Sequence, residues 1–157
     1  MKRLRIYVDT SVIGGCLDVE FAVESQRLIE AIRNNKVVML LSDLVISELV
    51  DAPPDVRDVL TSLAAEVIEN VSLTEEIIAL RDAYIAAGVV TSKSINDAAH
   101  VAAATVARAD AIVSWNFKHI VRLDKMRAYN QINLLNGYEI LTIVSPREVL
   151  FDESDES

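Results

Sequence analysis

The run VVMLLS (37–42) is apolar at every position up to its closing serine, so it has no polar face to turn toward water. Such a strand has to be covered on both sides, as in a parallel sheet held between two helical layers. A strand at 4–8, the buried strand AIVS (111–114) and ILTIV (140–144) alternate with segments of helical periodicity. Three of these segments are 22–34, where Leu28, Ile29 and Ile32 recur, SDLVISELVDA (42–52), and roughly 55–65. The second is opened by Ser42 or Asp43 and stopped by Pro53 and Pro54. A brief apolar segment leads to TEEIIALRDAYIAAG, which runs from Thr74 to Gly88. The alanine-rich SINDAAHVAAATVAR (94–108) and a basic helical stretch reaching about residue 136 come next, and Pro146 opens a last short helix. Alternation of this sort predicts an α/β fold, a parallel sheet with helices on both faces. With no repeat or linker, residues 1–150 read as one domain, and FDESDES (151–157) as an acidic, disordered tail.

A chain of 157 residues that is 52% hydrophobic suits one domain with a sizeable core. The single cysteine, Cys16, rules out an internal disulfide and fits a reducing compartment. No apolar run approaches the roughly 20 residues a membrane helix needs. Asp9 interrupts the first apolar stretch too early for a secretory signal. A soluble, cytoplasmic protein with no membrane partner is the expectation. The net charge of −9 argues against non-specific coating of nucleic acid. It leaves room for a small site in which carboxylates hold a cation.

In open parallel sheets, ligands bind outside the carboxyl ends of the strands. That rule accounts for IYVDTSVIGG (6–15), an apolar strand that ends on a carboxylate, Asp9. Glu48 lies on the helix after the second strand, Asp97 in the first turn of the helix before AIVS, and Asn116 just past AIVS. Four polar groups from separate segments are thus predicted to converge on one edge of the sheet. Clustered carboxylates repel, and one is forced to a high pKa unless a cation neutralises them. Oxygen donors without a histidine–cysteine set favour Mg²⁺ or Mn²⁺ over zinc.

Four segments, YVDTS, SDLVISELV, INDAAHVAAA and ADAIVSWNFKHI, together resemble the PIN domains, and more narrowly the VapC-type toxin nucleases of toxin–antitoxin systems. The resemblance covers about residues 6 to 120 in the family's order. It implies a three-layer PIN-like fold and a metal-dependent endoribonuclease. Carried over by position, the acidic ligands fall on Asp9, Glu48 and Asp97, and the fourth acidic position on Asn116, where many members have aspartate. The small hydroxyl residues correspond to Thr10 or Ser11 and to Ser114. The resemblance further implies an RNA substrate, a cognate antitoxin and a homodimer. The alternative is a PIN-fold module that binds RNA or protein with weakened catalysis, for which Asn116 is the main support.

Each candidate also has a blander reading. Asp97 follows Ser94 at capping-box spacing, and Asp9 stands where an N-cap would. A lone glutamate on an apolar helix, such as Glu48, commonly faces solvent, and Asn116 suits a turn. His100, one turn after Asp97, reads as a packed or supporting group rather than a base. Lys118, Arg122, Lys125 and Arg127 form either a solvated helix face or a track for an RNA backbone. Trp115 or Phe117 is available there to stack a base, although Trp115 reads better as core. A phosphatase or phospho-acceptor domain is the rival enzyme class, but DTSVIGG lacks its second aspartate. Finally, Leu28, Ile29, Ile32, Val59, Leu60, Leu63, Ile77, Ile78, Leu80, Tyr84 and Ile85 are too many apolar positions to hide, so some are expected at an exposed interface.

Overall fold

The computed structural model describes residues 3–149; the acidic tail at 151–157 lies outside the described residues. Five strands form one fully parallel sheet. They are β1 (Leu4–Val8), β2 (Val37–Ser42), β3 (Ile68–Val71), β4 (Ala111–Val113) and β5 (Thr142–Val144), in the spatial order β3-β2-β1-β4-β5. The helices are α1 (Thr10–Gly15), α2 (Ala22–Arg33), α3 (Asp43–Leu49), α4 (Pro54–Thr61), α5 (Glu75–Ala86), α6 (Ile95–Val106) and α7 (Leu123–Leu135).

The period-two alternation of strand side chains divides the core into two layers. Tyr7, Leu40, Ile112 and Ile143 point to one face and pack with α5, α6 and α7. Ile6, Val8, Met39, Leu41 and Val113 point to the other and pack with α1, α2 and α3. Both faces are covered, as the apolar character of VVMLLS requires. Ser42 caps α3 by accepting from the Val45 backbone N–H, and Thr74 caps α5 in the same way from Ile77. Arg108 and Gly88, both at positive φ, turn the chain out of α6 and α5.

Three expectations need correction. The brief apolar segment before Thr74 is an edge strand, β3, unrecognised because Glu69 and Asn70 break its apolar run. The basic stretch is helical only from Leu123. Over 116–122 the Asn116 side chain accepts from the backbone N–H groups of Lys118 and His119, at 3.2 and 2.9 Å, and so competes with helix formation. The eleven apolar positions expected to leave a surface patch are all buried or half-buried, because two core layers hide more than one would. The exposed apolar side chains are others, among them Ile46, Val50, Leu134, Leu135 and Ile140. Among the described residues, no helix is long and apolar enough to cross a membrane.

Candidate active site

Asp9 is the first residue after β1 and is almost fully buried. It occupies the N-cap position of α1, but its side chain makes no capping hydrogen bond. Instead its two oxygens are divided between two serines. Ser11 Oγ donates to Oδ1 at 2.6 Å, and Ser114 Oγ donates to Oδ2. Each serine is itself oriented by a backbone donor, Trp115 N–H to Ser11 Oγ and Asn116 N–H to Ser114 Oγ, both at 2.9 Å. The segment after β4 therefore aims the carboxylate that ends β1. Burial holds Asp9 above the ordinary carboxylate range; the charge of His100 and the hydroxyls of Ser11 and Ser114 offset only part of that effect.

Glu48 lies at the solvent edge, as its blander reading has it, yet one of its carboxylate oxygens is engaged. Its Oε1 accepts from Thr10 Oγ1 at 2.7 Å and pairs with His100 Nε2 at 2.6 Å. Oε2 accepts no hydrogen bond among the described residues, so one oxygen is pinned while the other stays available. Burial alone would raise the Glu48 pKa, but the hydrogen bond and charge of His100, with the Thr10 hydroxyl, outweigh it and lower the value. Behind His100 runs a buried relay. His100 Nδ1 meets the Tyr7 hydroxyl at 2.7 Å, and that hydroxyl meets Ser42 Oγ at 2.7 Å. The relay ties β1, β2, α3 and α6 together, and all three residues behind Glu48 are buried.

Asp97 lies in the first turn of α6, where the helix dipole favours a carboxylate. Ser94 makes no side-chain capping bond, so the capping-box reading does not apply. Burial raises Asp97, the Asn116 hydrogen bond and the charges of His119 and His100 lower it, and the negative charge of Glu48 raises it further. Because Asn116 Oδ1 is committed to the backbone of its own turn, its amide N–H₂ is the group that faces Asp97. Asn116 is therefore both a turn residue and part of the site. His119 Nδ1, nearby, is buried with no hydrogen-bond partner among the described residues.

Asp9, Glu48, Asp97 and Asn116, with Thr10, Ser11 and Ser114, thus gather at the carboxyl edge of β1 and β4. Lys118 and Arg122 are exposed beyond it, and the Arg122 guanidinium is engaged by Asp124 through bonds of 2.6 and 2.7 Å. Lys125 is also held, donating to the Val89 carbonyl at 2.6 Å. Trp115 is core: it stacks on Phe21 at 4.3 Å and donates Nε1–H to Ser25 Oγ at 2.7 Å. Sequence reasoning read Tyr7 as a strand residue and Ser42 as a helix cap, and missed their second role; only the meeting of Tyr7 with His100, far along the chain, reveals the relay.

Among the described residues, no group of three or more histidine, cysteine or acidic side chains forms a ready-made metal cage. The donor set nonetheless suits Mg²⁺, which keeps several waters and is bound through one or two carboxylates together with substrate phosphates. A buried aspartate, a partly buried one and a glutamate with a free oxygen meet that description.

The Tyr7 hydroxyl offers a direct test of the relay. Tyr7→Phe leaves His100 Nδ1 and Ser42 Oγ facing an apolar ring edge, so a loss of about 1–3 kcal/mol is expected in urea unfolding. An unchanged midpoint would mean that the hydroxyl contributes nothing to holding His100.

A five-stranded parallel sheet between helical layers, with its polar cluster beyond the carboxyl ends of the central strands, defines a PIN-like α/β fold. Solved structures that share it include "VapBC2 from Rickettsia felis bound to a DNA fragment from their promoter", 12% identical, with TM-score 0.58 over 90% of this chain and 98% of that one. FitAcB from Neisseria gonorrhoeae is 14% identical, with TM-score 0.54 over 92% of this chain and 99% of that one. No family model and no curated protein matches the chain in sequence. The likeness is one of fold.

Proposed function

We propose that the protein is a Mg²⁺- or Mn²⁺-dependent endoribonuclease and the toxin of a toxin–antitoxin pair. The observation that carries this reading is the gathering of Asp9, Glu48 and Asp97 at the carboxyl edge of a PIN-like sheet. Burial holds both aspartates above the usual carboxylate range, and Glu48 adds like charge beside Asp97. A cation relieves such a site. Bound there, a divalent ion supplies Lewis-acid chemistry, lowering the pKa of a water and neutralising charge on the phosphate. Asp9 and Asp97 would hold it directly, and Glu48 through Oε2 or an intervening water. Ser11 and Ser114 orient Asp9, and the Asn116 amide orients Asp97. In the hydrolysis, a water oxygen bonds to phosphorus, the P–O3′ bond breaks and the 3′ oxygen leaves with a proton. The products carry a 5′-phosphate and a 3′-hydroxyl.

The purified protein with labelled single-stranded RNA should give those ends when Mg²⁺ or Mn²⁺ is present and no cleavage in EDTA. Cyclic 2′,3′-phosphate ends, or cleavage undiminished by EDTA, would overturn the reading. The antitoxin side is supported by the fold neighbours, which are toxin–antitoxin complexes. It is supported too by an apolar groove of about 280 Å³ lined by Ile46, Leu49, Val50, Arg57, Leu60 and Thr61. The groove flanks the helix that carries Glu48. A twofold homodimer completes the proposal.

Asn116 favours a second reading, a module of this fold that binds RNA without cutting it, since an amide stands where a carboxylate would add charge for metal. Asn116→Asp addresses this. It sets a carboxylate against Asp97, so in EDTA the variant should lose about 1–3 kcal/mol. On adding Mn²⁺ it should regain more stability than the unmodified protein does. Equal metal-induced melting shifts would place Asn116 outside the metal's reach.

A further inference from the structure

We propose that Phe117 and Arg147 form a nucleotide-binding shelf at the rim of the crevice, taking one base of single-stranded RNA on the Phe117 ring and an adjoining phosphate on the Arg147 guanidinium. The inference rests on the ribonuclease reading and specifies how its substrate is held. Strands β4 and β5 are paired neighbours, with Val113 opposite Val144, and Ser114 N–H continues the pairing onto the Val144 carbonyl at 3.1 Å. The segments that leave their carboxyl ends, Trp115–Phe117 and Pro146–Glu148, therefore run side by side on the edge where Asp9 lies.

There the Arg147 guanidinium carbon sits 5.1 Å from the centre of the Trp115 ring and 5.9 Å from that of Phe117. A guanidinium laid over an aromatic face keeps its N–H fork free at its edge, and that fork matches a phosphate. Among the described residues it makes no hydrogen bond; Glu24, its ion partner, is 3.9 Å away, and half of the Arg147 side chain is in solvent. Arg27 donates weakly to the Pro146 carbonyl at 3.4 Å and adds a second cation to the rim of an acidic protein.

The two rings differ in use. Trp115 is fixed by Phe21 and Ser25 and is 6% exposed, whereas Phe117 is 41% exposed and meets Trp115 edge-on at 6.0 Å. Phe117 thus offers exposed aromatic surface beside Asn116, whose amide faces Asp97. An exposed ring and a guanidinium held only by a 3.9 Å ion pair, on a rigid base, are the parts of a stacking platform for single strands.

The alternative is that Arg147 merely lids Trp115. Fluorescence anisotropy of a labelled single-stranded RNA, with Ca²⁺ replacing Mg²⁺ to prevent cleavage, separates the two on the full-length protein. Phe117→Ala should weaken binding about tenfold on the intact strand. It should change binding little on the same strand carrying abasic nucleotides. Arg147→Ala should weaken both and flatten the dependence of log affinity on log salt by about 0.7. Arg147→Lys should restore that slope without the full affinity. Variants that bind like the unmodified protein, or that lose affinity on both strands with an unaltered salt slope, would overturn the shelf alone. An unmodified protein that neither binds nor cuts RNA would overturn the ribonuclease reading, and the shelf with it.

Discussion

Asp9→Asn is expected to slow metal-dependent RNA cleavage on the order of a thousandfold, because the Lewis acid it would help to hold is worth several kcal/mol to the transition state. The fold should survive. Both serine hydroxyls point their hydrogens at position 9, since their oxygens already accept from backbone N–H groups. An amide nitrogen there forces one hydroxyl to turn away, at a cost of about 1–3 kcal/mol. Removal of a buried charge offsets part of it. Circular dichroism should show native helix content with a modest drop in melting temperature, and cleavage at the unmodified rate would refute the metal-site assignment.

The same burial gives a pH signature. The folded-state pKa values of Asp9 and Asp97 lie above their unfolded values, so between the two the folded chain binds more protons. Their contribution to stability is therefore full below the ordinary carboxylate range and is lost as pH rises through the folded values. Divalent cations compete with those protons. Mn²⁺ should thus raise the melting temperature strongly at neutral pH and much less near pH 4.

Gly15→Ala is the second large effect, and it concerns stability. A Cβ at Gly15 falls 2.6 Å from Ser25 Oγ and 2.9 Å from Trp115 Nε1, the two atoms joined by a 2.7 Å hydrogen bond. Neither neighbour can yield cheaply: Ser25 is on α2 and Trp115 is stacked on Phe21. Overpacking and loss of that bond together should cost about 2–4 kcal/mol. Gly14→Ala, one residue earlier, meets nothing within 4 Å and should be neutral or stabilising by up to about 1 kcal/mol, as usual for alanine in a helix. Equal melting temperatures for the two variants would contradict the contact. Since Trp115 N–H also orients Ser11, Gly15→Ala should lower activity as well.

Much of the architecture was legible because its signals are local. The apolar run VVMLLS requires cover on both faces, Ser42 and Thr74 cap helices where capping residues were read, and Gly88 takes the positive φ that ends α5. Legibility failed where polarity misled. Glu69 and Asn70 disguised β3; Glu69 is on an edge, paired to Arg5 at 3.0 Å, and such a strand need not be apolar. Asn116 was visible as a turn residue, but its capture of two backbone N–H groups, which delays α7 to Leu123, depends on side-chain geometry.

By itself, the sequence determined the parallel α/β layering and the crevice edge at which Asp9, Glu48, Asp97 and Asn116 meet, since strand polarity and element order dictate which ends of the chain segments face that edge. Tertiary structure alone decided how those groups are held. Ser11 and Ser114 share Asp9 because α1 and the β4 exit pack together. His100 reaches Glu48 and Tyr7 because α6 lies across β1 and α3. Arg147 covers Trp115 because β5 pairs with β4. Contacts of this kind join residues tens of positions apart, and no periodicity in the chain encodes them; they exist only once the sheet register sets which side chains are neighbours.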